Sequence, residues 1–138
     1  MMPKLMKLAL ERLRISIVKF EPLPGEPING RLSLGENIGD LTGVTMAYEA
    51  YKRSLGGKPA PVIDGMSGDQ RFFMAWAQVW AIKWREEALR AQIKNGPHSP
   101  GEFRANGIVR NIDAWYEAFN VQPGDAMYLP PEKRVKIW

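Results

Sequence analysis

Apolar residues along this chain recur at helical intervals in four stretches, and proline or glycine punctuates the gaps between them. The first stretch runs from Met1 to Phe20. Leu5, Leu8, Leu10, Leu13, Ile15 and Val18 supply the apolar face of an expected amphipathic helix, and Lys4, Lys7, Glu11, Arg12, Arg14 and Lys19 interrupt it. Glu21 to Asn29 holds Pro22, Pro24, Gly25 and Pro27, which predicts an extended loop. Gly30 to Gly35 reads as a short bend or extended piece. From Glu36 to Leu55, Ile38, Leu41, Val44, Ala47, Tyr48 and Tyr51 mark a second helix, stopped by Gly56-Gly57. Lys58 to Met66 is a proline-containing loop. Ser67 then reads as an N-cap, with Gln70 completing a capping box.

The third stretch is the most regular. Phe72, Trp76, Trp80 and Trp84 recur every four residues, which predicts one helix from Gly68 to about Lys94, ended by Asn95-Gly96-Pro97. His98 to Gly107 reads as a loop or short turn. Ile112 to Phe119 reads as a short helix with Asn111 as candidate cap. Pro123-Gly124-Asp125 and Pro130-Pro131 mark turns before the tail. The expected fold class is mostly α, with little sheet.

Composition narrows this picture modestly. The chain has 138 residues, 45% apolar and 25% charged, which suits one domain with a buried core. Nineteen Lys and Arg against fifteen Asp and Glu leave a net +4, spread along the chain, and this demands no acidic partner. There are no cysteines, hence no disulfides and no thiolate metal ligands. No apolar run is long enough for a transmembrane helix, and the charges in the first twenty residues make a poor secretory signal. A basic amphipathic helix could lie on a membrane; packing against the core is the favoured reading. The aromatic stripe is read as core or interface. No basic groove accompanies it, so nucleic acid is disfavoured. No phosphate loop and no nucleophile triad is present, and Glu86 and Glu87 are adjacent, so they do not share a helix face.

The residues that carry candidate chemistry are few. Glu36 and Asp40 are four apart, so on a helix they share one face. By spacing alone they are either acidic residues favouring a helix N-terminus or a pair around a cation. His98 is the single histidine. Arg104 follows it by six residues, with Pro100 and Gly101 bending the chain between them. Both cationic groups could converge on one carbonyl oxygen. The bland alternatives are a structural histidine and a surface pairing of Arg104 with Glu102.

Four ordered blocks decide between these readings. They are Asn29 to Asp40, containing Gly35-Glu36-Asn37-Ile38-Gly39-Asp40; Lys58 to Gly65 with Gly68 to Phe73; Pro97 to Arg104; and Tyr128 to Trp138. Together they resemble the neprilysin and endothelin-converting-enzyme family of zinc endopeptidases over residues 20 to 138, and the lack of cysteine suits a bacterial-type member. The resemblance implies that Glu36 is the third zinc ligand and that Asp40 orients a zinc-binding histidine. It implies that His98 stabilises the tetrahedral oxyanion and that Arg104 binds a substrate carbonyl. The family's H-E-x-x-H helix, with two zinc ligands and the general base, is not in this sequence.

The expectation is therefore the C-terminal helical part of a thermolysin-like zincin domain. Residues 1–20 would be an amphipathic helix from the upstream region and 21–138 the C-terminal part of the catalytic domain. Such a chain is inactive alone. Its partners would be a peptide substrate, the missing H-E-x-x-H portion and, through exposed apolar surface, another copy of itself. The sequence does not assign a compartment; the resemblance implies a periplasmic, secreted or membrane-anchored complete enzyme. The rival class is a non-catalytic helical module that binds a protein partner through its aromatic helix. Three positions depart from the family pattern: Gly39 stands for the usual Ala, Thr42 for a usual Gly, and Gly96 where an Asp often precedes the oxyanion histidine.

Overall fold

The computed structural model describes residues 4–137, apart from the side chains of Lys4, Leu5, Ile15, Ile17 and Val18. The expected helical start at Met1 to Pro3, part of the first apolar face and the terminal Trp138 therefore lie outside the described residues. Six α-helices account for the architecture: α1 (Lys4–Val18), α2 (Leu34–Ser54), α3 (Gly68–Val79), α4 (Glu86–Asn95), α5 (Gly101–Val109) and α6 (Asp113–Phe119). A short 3-10 turn follows at Pro131–Lys133. Among the described residues there is no strand, only two isolated bridges in the turns at Leu23–Glu26 and Ile63–Met66.

The long helix α2 organises the rest, packing on α1 and α5, while α3 packs on α5 and α6. Its buried residues are Asn37, Asp40, Leu41, Val44 and Tyr48. This stripe keeps helical spacing, but it changes character along its length. The C-terminal part is apolar and joins Leu13, Phe73, Ile108, Trp115 and Val135 in the core. Each such buried side chain is stabilising by about 1.5–3 kcal/mol. The N-terminal part is polar, and that is where the candidate chemistry lies.

Helix ends follow local chemistry where it is strong. Gly56 and Gly57 both take positive φ after α2. Ser67 and Gln70 form the full capping box at the start of α3. The tail returns over α6: Asn111 Oδ1 accepts from Val135 N at 2.9 Å, and Arg134 and Lys136 both pair with Asp113. Those two cations, Lys136 first, hold the Asp113 carboxyl below the usual carboxylate range.

Three expectations are corrected. The stretch from Gly68 to Lys94 is two helices, because α3 stops at Val79 and Trp80 to Arg85 are not helical. The Trp80 carbonyl, which an uninterrupted helix would offer to residue 84, accepts instead from Ile82 N at 2.7 Å. The start of α5 abuts it: a Cβ on Gly101 would lie 2.5 Å from Trp80 O. Second, the expected loop from His98 to Gly107 is largely helix α5. Its glycines serve close approach, Gly101 to Trp80 and Gly107 to the Phe20 ring, where a Cβ would come within 2.7 Å. Third, Asn111 does not cap α6. Its Nδ2 donates back to Gly107 O at 2.8 Å, and Ile112 sits at the cap position without a side-chain bond.

Candidate active-site cluster

The polar end of the α2 stripe is where three separate segments meet. Glu36 lies in the first turn of α2, where a carboxylate suits the positive end of the helix dipole. Asp40 lies one turn on and is 9% exposed. His98 comes from the loop after α4, and Arg104 from the first turn of α5. The structure brings all four together.

Arg104 is the hub. Its Nε and one terminal nitrogen reach the two Asp40 oxygens at 2.6 and 2.7 Å, a bidentate fork on a carboxylate. The same terminal nitrogen lies 3.6 Å from Glu36 Oε2, and His98 Nε2 lies 3.1 Å from that same oxygen. Two nitrogens from different segments thus face one carboxylate oxygen at ion-pair distance. Their side chains differ in burial: Arg104 is 12% exposed and His98 48%. The alternative surface pairing of Arg104 with Glu102 is not the one observed; Asp40 takes that fork.

Trp80 completes the support of Arg104. The guanidinium lies 3.9 Å from the Trp80 ring centroid, a cation–π stack. The break in the aromatic helix sets this ring over α5. Sequence reading treated Trp80 as one of four equivalent stripe residues, so its role beside Arg104 was missed. Asn37, Ser99 and Gln92 were missed as well, although Asn37 and Ser99 adjoin Glu36 and His98 inside the quoted blocks.

The Gly96 departure has a local reason. Gln92 folds back over it, and Gln92 Nε2 donates to His98 O at 2.7 Å. A Cβ on Gly96 would lie 2.3 Å from Gln92 Nε2 and 2.7 Å from Gln92 O. An aspartate at 96 would displace that tether. Here the loop is held through its backbone carbonyl rather than by an acid at 96.

The donor chemistry can be weighed against zinc directly. Zinc is held by at least three protein ligands, drawn from His, Cys, Asp or Glu. Among the described residues no group of three such side chains is placed to hold a metal. Glu36 is a suitable donor type, but Asp40 is committed to Arg104 and the His98 ring faces Glu36. By itself this set does not fit zinc. The cluster also lies outside the 370 Å³ cleft between α2 and the tail, which is lined by residues such as Leu41, Tyr48, Asn111 and Val135.

Comparison with known proteins gives a consistent result. The model of peptidase family M13 matches residues 16–135. Neprilysin-3 of Drosophila melanogaster is 33% identical over 118 residues, covering 83% of this chain and 15% of that protein. The neutral endopeptidase of Lactococcus lactis is 34% identical over 131 residues, covering 93% of this chain and 19% of that protein. Among solved structures, the inhibitor-bound zinc metalloprotease Zmp1 of Mycobacterium tuberculosis superposes with a TM-score of 0.94 at 45% identity. That superposition covers 96% of this chain and 21% of the Mycobacterium chain. The chain therefore spans about a fifth or less of the length of these relatives.

Proposed function

The chain belongs to peptidase family M13, and from that premise we propose that it contributes one half of a zinc endopeptidase active site. Glu36 is the third protein ligand in the complete site, and Asp40 orients a ligating histidine carried by the H-E-x-x-H portion. When bound in the complete site, zinc would supply Lewis-acid chemistry toward water and a carbonyl. His98 donates from Nε2 to the oxyanion of the tetrahedral intermediate, and Arg104 holds a carbonyl of the peptide backbone. The substrates are peptides and small polypeptides. By the same resemblance, the complete enzyme works outside the cytoplasm, secreted, periplasmic or membrane-anchored.

One observation carries this reading: His98 and Arg104 meet on a single oxygen, Glu36 Oε2. A pair of donors so placed can stabilise charge developing on one oxygen, and an oxyanion donor typically contributes about 2.7–4 kcal/mol to the rate. Nε2 is the ring nitrogen that faces that oxygen, at 3.1 Å. Arg104 enters already oriented by Asp40 and Trp80, so little order is lost on taking up a carbonyl.

The half-site reading has a direct consequence for the 138-residue chain by itself. It lacks the general base and two ligands, so it neither binds zinc stoichiometrically nor cleaves peptides. Calorimetric zinc titration and a peptide-cleavage assay on the purified chain test this. Tight one-to-one binding, or zinc-dependent cleavage abolished by Glu36→Ala, would overturn it.

A further inference from the structure

Between Glu36 and His98 lies a buried polar contact that the roles above leave unused. Asn37 is 1% exposed and Ser99 3%. Asn37 Nδ2 donates to Ser33 O at 2.7 Å and to Ser99 Oγ at 2.9 Å. A backbone carbonyl only accepts, so the bond to Ser33 O fixes which end of the amide faces it. The bond to Ser99 spans 62 residues of sequence. It joins the residue after Glu36 to the residue after His98.

The contact is a costly choice if stability were its purpose. Asparagine is a poor helix former. Asn37 Oδ1 is buried and accepts no hydrogen bond among the described residues. An unsatisfied buried acceptor is destabilising. The stripe that Asn37 begins continues with Leu41, Val44 and Tyr48, so an apolar residue would suit the position. What asparagine adds is a directional tie from the Glu36 turn to the His98 loop.

His98 depends on such a tie. Its side chain is half exposed, and among the described residues its one ion pair is with Glu36. Its place is set by its backbone, through the outer Gln92 tether on its carbonyl and the inner bond to Ser99. Pro100, which is buried, follows and stiffens the loop. We infer that Asn37 is a positioning residue for the oxyanion histidine: through Ser99 it fixes how far the His98 ring stands from the Glu36 oxygen. The inference rests on the half-site reading for its catalytic meaning, but the geometry it asserts is testable without catalysis.

Because His98 is the single histidine, its ring signals in a nuclear magnetic resonance spectrum are unambiguous. In the unmodified chain, the ring Hε1 gives an Overhauser contact to the Glu36 side chain, and the His98 amide has an order parameter near 0.85. In Ser99→Ala, which deletes one oxygen, that contact is lost and the order parameter falls toward about 0.6. Asn37→Ala does the same, and the double variant goes no further than either alone. Ser67→Ala, which removes the distant α3 cap, leaves the His98 signals unchanged, as a general loss of stability would not. If Asn37→Ala does not fold, Ser99→Ala decides the matter. Unchanged His98 signals in Ser99→Ala overturn the inference. So does an equal change in Ser67→Ala. A second arm uses the chain assembled with an H-E-x-x-H portion, where Asn37→Ala lowers kcat tenfold or more with KM little changed. A loss confined to KM counts against the inference. Absence of activity in the unmodified assembly counts against the half-site reading and leaves the resonance result standing.

Discussion

Arg104 meets three groups at once: the Asp40 carboxylate, the Glu36 oxygen and the Trp80 ring. Asp40 is nearly buried, so removing the cation leaves an unpaired charge in a poor solvent. Arg104→Ala is expected to lower unfolding free energy by about 3 kcal/mol, read from urea denaturation. Arg104→Lys keeps the charge but loses both the fork and the ring stack, so it recovers only part of that. A loss in Arg104→Ala below about 0.5 kcal/mol, the range of ordinary surface substitutions, would show the pairing to be incidental. At this scale the four residues that cluster were legible as candidates from the ordered blocks, because each lies inside one. Trp80 was not, since helical spacing treats residues 72, 76, 80 and 84 alike, and only the tertiary approach of α5 singles one out.

At the scale of elements, strong local chemistry was legible and tertiary interruption was not. The Ser67–Gln70 box and the Gly56-Gly57 stop depend on neighbours in sequence, and both are present. The break after Val79 contains no proline or glycine. It lies where the start of α5 presses on the Trp80 carbonyl, a residue twenty-one positions away. Likewise the glycines of α5 looked like loop signals, yet they are where backbone meets another segment. Two glycine variants separate these cases. A Cβ at Gly101 would press on Trp80 backbone, so Gly101→Ala should destabilise by about 1–3 kcal/mol. At Gly39, in the interior of α2, a Cβ meets nothing within 4 Å, so Gly39→Ala should stabilise by up to about 1 kcal/mol. Thermal or urea unfolding of both variants checks the opposite signs. Equal signs would contradict the view that Gly101 is demanded by packing and Gly39 is not.

On the scale of the whole molecule, the chain is one helical unit organised on α2, with a polar end where Glu36, Asp40, His98 and Arg104 gather. No helix among the described residues is long and apolar enough to cross a membrane. Val79, Ile82 and Trp84 are large apolar side chains at the surface beside the aromatic helix, and Met46, Val62 and Ile63 are exposed elsewhere. On the half-site reading, the H-E-x-x-H portion must lie close to Glu36. The measurement that tests this most directly is peptide hydrolysis after mixing the chain with a separately made H-E-x-x-H portion and zinc, under conditions where the two associate. Hydrolysis is expected to appear only in the mixture, to be removed by a zinc chelator, and to be lost with Glu36→Ala in this chain. Association without hydrolysis, or hydrolysis that survives Glu36→Ala undiminished, would contradict the account.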